Sequence, residues 1–343
     1  MSLEQRLEAS WATRGPLAWL LLPLSGVFRL ALALRRALGS AGLLRPERLP
    51  VPVVVVGNMV AGGAGKTPAV LALVALLRDR GWTPGIVSRG YGRSGHALRA
   101  VTRDAPASLC GDEPLLLHLR SGAPVWVGRD RPAAGRALLQ HHPEVDILVS
   151  DDGLQHLRLA RDAQLIVFDE RGTGNGLLLP AGPLREPMAR EAPPRSVVLY
   201  NAPAQSTGWA GGLARRGLAG ATPLAAWWAG AAPSAAALDG LGGRPLLAVA
   251  GVARPGRFFA MLRERGLRID TLALPDHHAF TTLPWPPGTP DVIVTEKDAV
   301  KLQSAALADT TRVWVATLDF RLDPASEVAL CRLLPVLPGQ QEE

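Results

Sequence analysis

The sequence predicts an α/β fold with a parallel-sheet domain, a second, smaller α/β domain and an N-terminal amphipathic helix. Short apolar runs recur from residue 53 onward and alternate with helical or looped stretches. Such runs are typical of parallel strands that are covered on both faces. A second series of runs follows a poorly patterned, Ala- and Gly-rich stretch at 201–240. The third observation is an apolar segment flanked by arginines at residues 17–34.

The domain organisation follows from these patterns and from the length of 343 residues, which exceeds one average domain. We expect a membrane-associating helix within residues 1–40 and the larger domain within residues 41–200. The second α/β domain is expected over residues 201–343, where it would close a cleft formed with the first.

The charge balance is basic, with a formal net charge of +7 and a pI near 10.3. Much of the excess lies in the first fifty residues, beside the most apolar segment. This distribution favours an anionic membrane over nucleic acid, because no nucleic-acid-binding motif stands out. Cys110 and Cys331 lack metal-type spacing and argue against a disulfide-built secreted domain.

The segment 17–34 is a helix candidate that is slightly short for a membrane span and contains Pro23, Gly26 and Arg29. At helical spacing one side carries Ser25, Arg29 and Arg36, and another carries Leu17, Leu20, Leu21, Leu24, Phe28 and Ala31. We favour a helix that lies in the membrane interface. A true span and a buried core helix are the alternatives, and a signal peptide is disfavoured by nearby acidic residues.

The strongest motif runs from Gly57 to Thr67 and reads GNMVAGGAGKT. It follows the apolar run VVVV and precedes a helical pattern, which is the context of a P-loop. Backbone amides of such a loop approach phosphate oxygens, its lysine reaches the β- and γ-phosphates, and its Thr hydroxyl binds Mg²⁺. Val60 replaces the glycine of the standard spacing, so the loop is longer than usual. The alternative is a glycine-rich turn that binds no nucleotide.

A pair of aspartates, Asp151 and Asp152, ends the apolar run ILVS. An acidic residue at this point matches the Walker-B aspartate, which holds Mg²⁺ opposite the P-loop Thr. Aspartate is also a common turn residue, so the pair carries weight only together with the P-loop. Gln155 and His156 follow and could line the same crevice.

Two other motifs in the first predicted domain are ambiguous from the residues alone. Asp112 and Glu113 in GDEP fit either a helix cap or a general base with a metal-binding carboxylate. The stretch 174–187, with Arg185 and Glu186, reads as an ordered loop and, by itself, as an ordinary linker.

In the second domain, PDHH at 275–278 lacks the spacing of a helical zinc site. The segment TEKDAVKL at 295–302 reads as a capped helix with an exposed basic edge. Its residue order disfavours a guanine-reading site. The sequence has only three lysines, Lys66 in the P-loop and Lys297 and Lys301 in this segment. Because arginine supplies the other cationic side chains, we expect lysine at positions where a guanidinium would not serve.

Taken together, the motifs resemble those of the tetraacyldisaccharide 4′-kinase family. The matching stretches are VPVVVVGNMVAGGAGKTP, SRGYG, GDEP, SDDGLQH, GNGLLLPAGPLREP, the DHH-A-F region and TEKDAVKL, in family order between residues 51 and 302. The long P-loop, a departure from the generic motif, is what this family shows. The sequence differs slightly from the family pattern at Met59 and Leu177.

The resemblance implies transfer of the γ-phosphate of ATP to the 4′-hydroxyl of a tetraacylated glucosamine disaccharide 1-phosphate, which yields the bis-phosphorylated lipid A precursor. Asp112 and His277 would form the dyad that activates the hydroxyl. The other implied residues are Gly57, Gly62, Gly63, Gly65, Lys66 and Thr67 for the nucleotide, Thr67, Glu113, Asp151 and Asp152 for the metal, and Gln155, His156, Arg185 and Glu186 for the substrate.

The implied cofactors are ATP and Mg²⁺, and the implied partners are the lipid disaccharide and the inner membrane surface, with no nucleic acid. We expect a monomer on the cytoplasmic face of the inner membrane, held peripherally or by its N-terminal segment. Two alternatives are a membrane-associated P-loop NTPase that acts as a regulatory switch and a kinase of a soluble small molecule.

Overall fold

The computed structural model describes residues 7, 9–43, 45–302 and 311–336. It divides into two compact units. Unit 1 comprises residues 1–89, 128–215 and 321–343, and unit 2 comprises residues 90–127 and 216–320.

These units depart from the predicted domain bounds of 41–200 and 201–343 in three places. The segment 90–127, which contains GDEP, groups with unit 2, whereas residues 201–215 and 321–343 group with unit 1. Parts of the predicted ranges 1–40 and 201–343 lie outside the described residues.

Unit 1 is built on a parallel sheet whose strands run in the order β2-β5-β1-β6-β7-β8. The strands are β1 (Val53–Gly57), β2 (Pro84–Ser88), β5 (Ile147–Asp151), β6 (Ala163–Asp169), β7 (Ser196–Asn201) and β8 (Gly212–Leu213). Every residue of the central strands β1, β5 and β6 is buried, as the continuous apolar runs predicted. The parallel pairing brings the carboxyl ends of these strands to one edge.

The helices of unit 1 connect and cover these strands. They are α1 (Pro16–Ser40), α2 (Lys66–Asp79), α5 (Arg131–His141) and α10 (Pro324–Leu333). Helix α2 follows β1 through the glycine loop and buries one apolar face that includes Leu73 and Leu77. Asp130 caps α5 by accepting a hydrogen bond from the backbone N–H of Ala133.

Unit 2 contains a sheet in the order β11-β10-β12-β13-β9. Its strands are β9 (Arg215–Pro223), β10 (Leu246–Ala250), β11 (Ile269–Ala273), β12 (Asp291–Thr295) and β13 (Arg312–Arg321), and its short or connecting helices are α6 (Leu224–Trp228), α7 (Ala235–Asp239), α8 (Pro255–Glu264) and α9 (Glu296–Ala299). Strands β10 to β13 pair in parallel. The poorly patterned stretch 201–240 supplies β9, which the sequence did not predict.

The remaining elements of unit 2 surround the GDEP motif. They are β3 (Arg99–Val101), α3 (Ala107–Cys110), α4 (Asp112–Ser121) and β4 (Val125–Val127). Strands β3 and β4 pair antiparallel, whereas the apolar run at 125–128 predicted a parallel strand. Three residues are too few for the apolar pattern to distinguish the two pairings.

Helix α1 extends beyond the predicted segment 17–34 and packs on the loop 174–187 through few residues. Ser25 is buried; its hydroxyl donates to the carbonyl of Leu178 at 2.9 Å and accepts from the N–H of Ala181 at 3.0 Å. The opposite face is apolar and exposed, with Leu20 at 75% and Leu30 at 71% exposure. By length and composition α1 could cross a membrane, and little of it is buried within the protein. The alternative of a buried core helix is therefore wrong.

Candidate active site

The glycine loop between β1 and α2 has the shape of a phosphate-binding loop. Gly62 and Gly65 adopt φ angles of 85° and 92°, in the left-handed region where a side chain is disfavoured. A Cβ on Gly57 would lie 2.7 Å from Leu154, so the chain needs glycine where it leaves the strand. Lys66 begins α2, and the N-terminus of this 14-residue helix adds a positive dipole.

Lys66 and Arg185 converge on Asp152. The ammonium nitrogen of Lys66 lies 3.6 Å from Oδ1 of Asp152, and Nη1 of Arg185 donates to the same oxygen at 3.0 Å. Burial raises the pKa of Asp152, but the charges of Lys66 and Arg185 outweigh it and keep that pKa below its ordinary value. Asp152 has a φ of 49°, a conformation that is uncommon outside glycine and asparagine. An ionised carboxylate is therefore held beside the P-loop lysine.

The loop 174–187 positions Arg185 because it pairs with the start of the P-loop. The N–H of Ala61 donates to the carbonyl of Pro183 at 2.8 Å, and the N–H of Arg185 donates to the carbonyl of Met59 at 2.8 Å. This stretch is therefore held against the glycine loop, and the interpretation as an ordinary linker is wrong.

Three of the predicted substrate residues meet at this loop. Gln155 donates to Oε1 of Glu186 at 3.1 Å, and its amide oxygen accepts from Arg185 at 3.4 Å. Arg36 of α1 also pairs with Glu186, at 3.1 Å.

His156, the fourth predicted substrate residue, lies apart from these contacts. Its Nε2 accepts from the backbone N–H of Arg131 at 3.4 Å. Burial, together with the charge of Arg131, lowers the pKa of His156 to about 4, so the imidazole is neutral at physiological pH.

Asp151 ends β5 directly beside the P-loop strand. In the parallel register it stands opposite Val56, one residue before Gly57. Its side chain is almost fully buried, and Oδ2 accepts from the hydroxyl of Ser88 at 2.9 Å. The guanidinium of Arg131 donates to its backbone carbonyl at 3.2 Å. Sequence reasoning missed Ser88 and Arg131 because each becomes relevant only through the pairing of the strands.

Asp112 and His277 are in direct contact within unit 2. Nδ1 of His277 lies 2.8 Å from Oδ2 of Asp112, while Oδ1 of Asp112 accepts from the N–H of Glu113 at 2.9 Å. Both residues belong to unit 2, so their contact needs no closure between the two predicted domains. Asp112 is not the N-cap of α4, because Gly111 occupies that position.

The pKa values of this pair shift in opposite directions. The hydrogen bond that His277 donates to Asp112 raises the pKa of His277 above its ordinary value of 6.5. Burial raises the pKa of Asp112, but the hydrogen bond from His277 and the charges of Lys297 and Lys301 lower it below 3.8 overall. His277 also has a φ of 59°, a strained conformation of the kind that clusters at functional sites.

Lys297 links the dyad to Glu113. Its ammonium nitrogen lies 3.1 Å from Oε1 of Glu113, 3.2 Å from Oδ1 of Asp276 and 3.4 Å from Nε2 of His277. Thr295 caps this short helix as predicted, by accepting from the N–H of Asp298. The predicted exposed basic edge is wrong, because the side chains of Lys297 and Lys301 are only 18% and 8% exposed. The scarcity of lysine was the sequence signal for both residues.

Among the described residues, no group of three or more His, Cys, Asp and Glu side chains forms a preformed metal cluster. The oxygen donors in unit 1 nevertheless suit Mg²⁺, which prefers carboxylates and hydroxyls and keeps several waters. Asp151 and Asp152 end the strand beside β1, and Thr67 is the second residue of α2. Glu113 lies in unit 2, where it contacts Lys297.

Fold and site together define a P-loop protein of the kind that binds a nucleoside triphosphate at the carboxyl edge of a parallel sheet. The family model of LpxK, tetraacyldisaccharide-1-P 4′-kinase, matches residues 17–335, and the chain belongs to this family.

Similar proteins support the same assignment. The tetraacyldisaccharide 4′-kinase of Methylibium petroleiphilum is 55% identical over 99% of this chain and 96% of its own length. That of Leptothrix cholodnii is 55% identical over 99% of this chain and 98% of its own. A crystal structure of LpxK from Aquifex aeolicus in complex with ATP is 25% identical, covers 93% of this chain and all of that one, and has a TM-score of 0.74.

The opposite pKa shifts of the dyad can be measured. Replacing Asp112 with Asn removes the partner charge, so the pKa of His277 should fall, as followed by NMR titration of the imidazole. Asp276→Asn is the matched control and should lower it less, because Asp276 is 3.9 Å from the ring. An unchanged pKa in Asp112→Asn would contradict the pairing.

The same shifts define the pH range in which the pair stabilises unit 2. Its contribution is full between about pH 3.8 and 6.5. It is lost at higher pH as His277 deprotonates through its raised folded pKa, and at lower pH as Asp112 protonates through its lowered one.

Proposed function

We propose that this protein transfers the γ-phosphate of ATP to the 4′-hydroxyl of a tetraacylated glucosamine disaccharide 1-phosphate at a membrane surface. The observation that carries the proposal is the P-loop with Lys66 facing Asp152, in a chain of the tetraacyldisaccharide-1-P 4′-kinase family. Phosphoryl transfer depends mainly on positioning and on stabilising the charge of the transferred group, and the P-loop supplies both.

In the proposed nucleotide site, the amides of Gly62, Gly63 and Gly65 and the N-terminus of α2 contact the phosphates. Lys66 leaves Asp152 far enough to reach the γ-phosphate oxygens, and Arg185 keeps Asp152 ionised meanwhile. These two cations offset the charge that develops as the bond between the γ-phosphorus and the bridging oxygen breaks.

The proposed Mg²⁺ site consists of Thr67, Asp151 and Asp152, with Glu113 as a further carboxylate. When bound, the ion would neutralise charge on the β- and γ-phosphate oxygens. Ser88 orients Asp151 through its hydroxyl, so the carboxylate is directed before a metal arrives.

The proposed base is the Asp112–His277 dyad. The acceptor hydroxyl loses its proton to the carboxylate of Asp112 as its oxygen forms the new bond to the γ-phosphorus, while the bond from that phosphorus to the bridging oxygen breaks and ADP leaves. The hydrogen bond at 2.8 Å makes the two residues one proton-accepting unit, and Lys297 holds the far side of the imidazole. A base held in this way typically contributes about 10²–10⁴-fold in rate.

The sugar and phosphate groups of the lipid are proposed to contact Gln155, His156, Arg185 and Glu186. Because Nε2 of the neutral His156 accepts from Arg131, its proton lies on Nδ1, which can donate a hydrogen bond to a hydroxyl oxygen without adding charge. A cleft of about 420 Å³ beside this loop is lined by α1 residues, including Arg29, and by apolar side chains such as Leu177 and Met188.

The exposed apolar face of α1 supports attachment to a membrane. Leu20, Leu24 and Val27 on this face are all more than half exposed, and arginines flank the helix. Apolar burial and attraction of arginine to anionic lipid both favour an interfacial position. We propose a monomer on the cytoplasmic face of the inner membrane, where the acyl chains stay in the bilayer during transfer.

Lys66→Ala should lower kcat by at least about 10²–10³-fold, because it removes the P-loop cation nearest the transferred phosphate. The assay is transfer of radiolabelled γ-phosphate to a purified disaccharide lipid. Arg48→Ala, which removes a surface ion pair with Asp162 in the same unit, is the control and should keep wild-type activity. Near-normal transfer by Lys66→Ala would contradict the assignment of the P-loop as the nucleotide-binding site. ATP consumption independent of the lipid would instead favour a regulatory NTPase.

Asp112→Ala and His277→Ala should each lower kcat by about 10²–10⁴-fold with little change in KM for ATP. Because the two residues act as one unit, the double variant should be scarcely worse than the poorer single variant. Melting temperatures of the same preparations separate loss of chemistry from loss of folding. Multiplicative losses in kcat, or a purely thermal defect, would remove the dyad from the mechanism.

Salt should release the protein only partly from anionic vesicles, because salt screens the arginines and leaves apolar burial intact. Replacing Leu20, Leu24 and Val27 with Ser should weaken vesicle binding in co-sedimentation more than high salt does. Replacing the partly buried Leu22 of the same helix is the control for helix stability. Complete resistance of the wild type to alkaline extraction would favour a span, and a lack of vesicle binding would exclude both forms of attachment.

A further inference from the structure

Five consecutive carbonyls of the P-loop accept hydrogen bonds from only three side chains. The amide of Asn58 donates to the carbonyls of Val60 and Gly62, the guanidinium of Arg171 donates to those of Ala61 and Gly63, and the amide of Asn201 donates to that of Ala64. The distances lie between 2.7 and 3.3 Å. The loop is therefore held from Val60 to Ala64 by Asn58, which lies within the motif, and by Arg171 and Asn201, which no sequence motif indicated.

Arg171 is itself fixed by a buried carboxylate. Its Nε lies 3.1 Å from both oxygens of Asp169, and its Nη2 donates to Oδ2 at 2.9 Å. Asp169 is fully buried at the end of β6, the strand that pairs with β1 on the side away from β5. The guanidinium thus connects the end of one strand to the loop that leaves the neighbouring strand.

The hydrogen bonds of Arg171 determine where two loop amides point. In a planar trans peptide the N–H is antiparallel to the C=O. Because Arg171 holds the carbonyls of Ala61 and Gly63, the N–H groups of Gly62 and Ala64 are directed away from it. Backbone amides that are held in fixed directions can bind an anion without rearrangement.

We propose that Arg171, held by Asp169, is a positioning residue that orients the P-loop amides toward the nucleotide phosphates, an inference that rests on the proposed function. Arg171 does not contact phosphate in this arrangement, because its donors are directed at loop carbonyls and at Asp169. A Cβ on Gly62 would lie 2.9 Å from Nη1 of Arg171 and would displace the guanidinium from this contact.

Binding of ATP to the full-length protein in detergent, measured by calorimetry without lipid, tests this role. Arg171→Ala should raise Kd by about 10- to 100-fold, the range expected when a group that orients ligand-binding atoms is lost. KM for ATP should rise with it, while kcat at saturating ATP changes much less. Arg171→Lys should give an intermediate Kd, because an ammonium group cannot replace the planar fork. Arg48→Ala is the control and should bind like the wild type.

Asp169→Asn distinguishes positioning from direct contact. If Asp169 holds Arg171 in place, this variant should weaken ATP binding in the same direction, and the double variant Asp169→Asn/Arg171→Ala should be little worse than Arg171→Ala. Normal binding by Asp169→Asn together with a loss in Arg171→Ala would identify Arg171 as a direct phosphate ligand and overturn the proposal.

The remaining outcomes are also decisive. Wild-type Kd in Arg171→Ala would overturn the positioning role alone, since the proposed function does not require it. Should Arg171→Ala fail to fold, as judged from its melting temperature, the lysine variant decides the question, and a wild-type Kd in it would overturn the proposal. A wild-type protein that binds no ATP would overturn the proposed function and this inference with it.

Discussion

The parallel pairing of β1 with β5 and β6 is the constraint on which the candidate nucleotide site depends. Parallel neighbours end at the same edge of a sheet, so the P-loop after β1 emerges between the residues that end the two flanking strands. On one side this edge supplies Asp151 and Asp152, and on the other it supplies Asp169. The pair Asp151 and Asp152 is available to a metal and to Lys66. Asp169 instead holds Arg171 against the loop.

The conformation of the glycine loop is restricted by three side chains, two of which lie outside the loop sequence. A loop rich in glycine has many accessible conformations, and fixing it costs conformational entropy. Hydrogen bonds from Asn58, Arg171 and Asn201 restrict those conformations, and pairing with Pro183 and Arg185 restricts them further. The longer spacing of this P-loop is therefore compatible with a well-defined phosphate site.

In unit 2, the ionised side chains around the GDEP motif lie close to side chains of opposite charge. Asp112 and Glu113 begin a helix, where its dipole favours negative charge, and Lys297 and Lys301 approach them from the TEKDAVKL segment. Each ionised group has a partner of opposite sign, which makes burial of the group tolerable. The imidazole of His277 lies within this balanced set, and its protonation state responds to Asp112.

The sequence by itself determined the parallel sheet of the first domain, the P-loop, Asp151 and Asp152, and the apolar helix, because apolar runs, glycine spacing and helical periodicity are local signals. Its motifs also led to the family. Only the tertiary structure decided that segment 90–127 groups with unit 2, that Asp112 contacts His277 there, and that Lys297 and Lys301 face inward. Arg171 and Asn201 likewise acquire a role only when β6 pairs with β1 and β7 pairs with β6. Such contacts join residues that are far apart in the chain, and no local pattern records which strand ends will become neighbours.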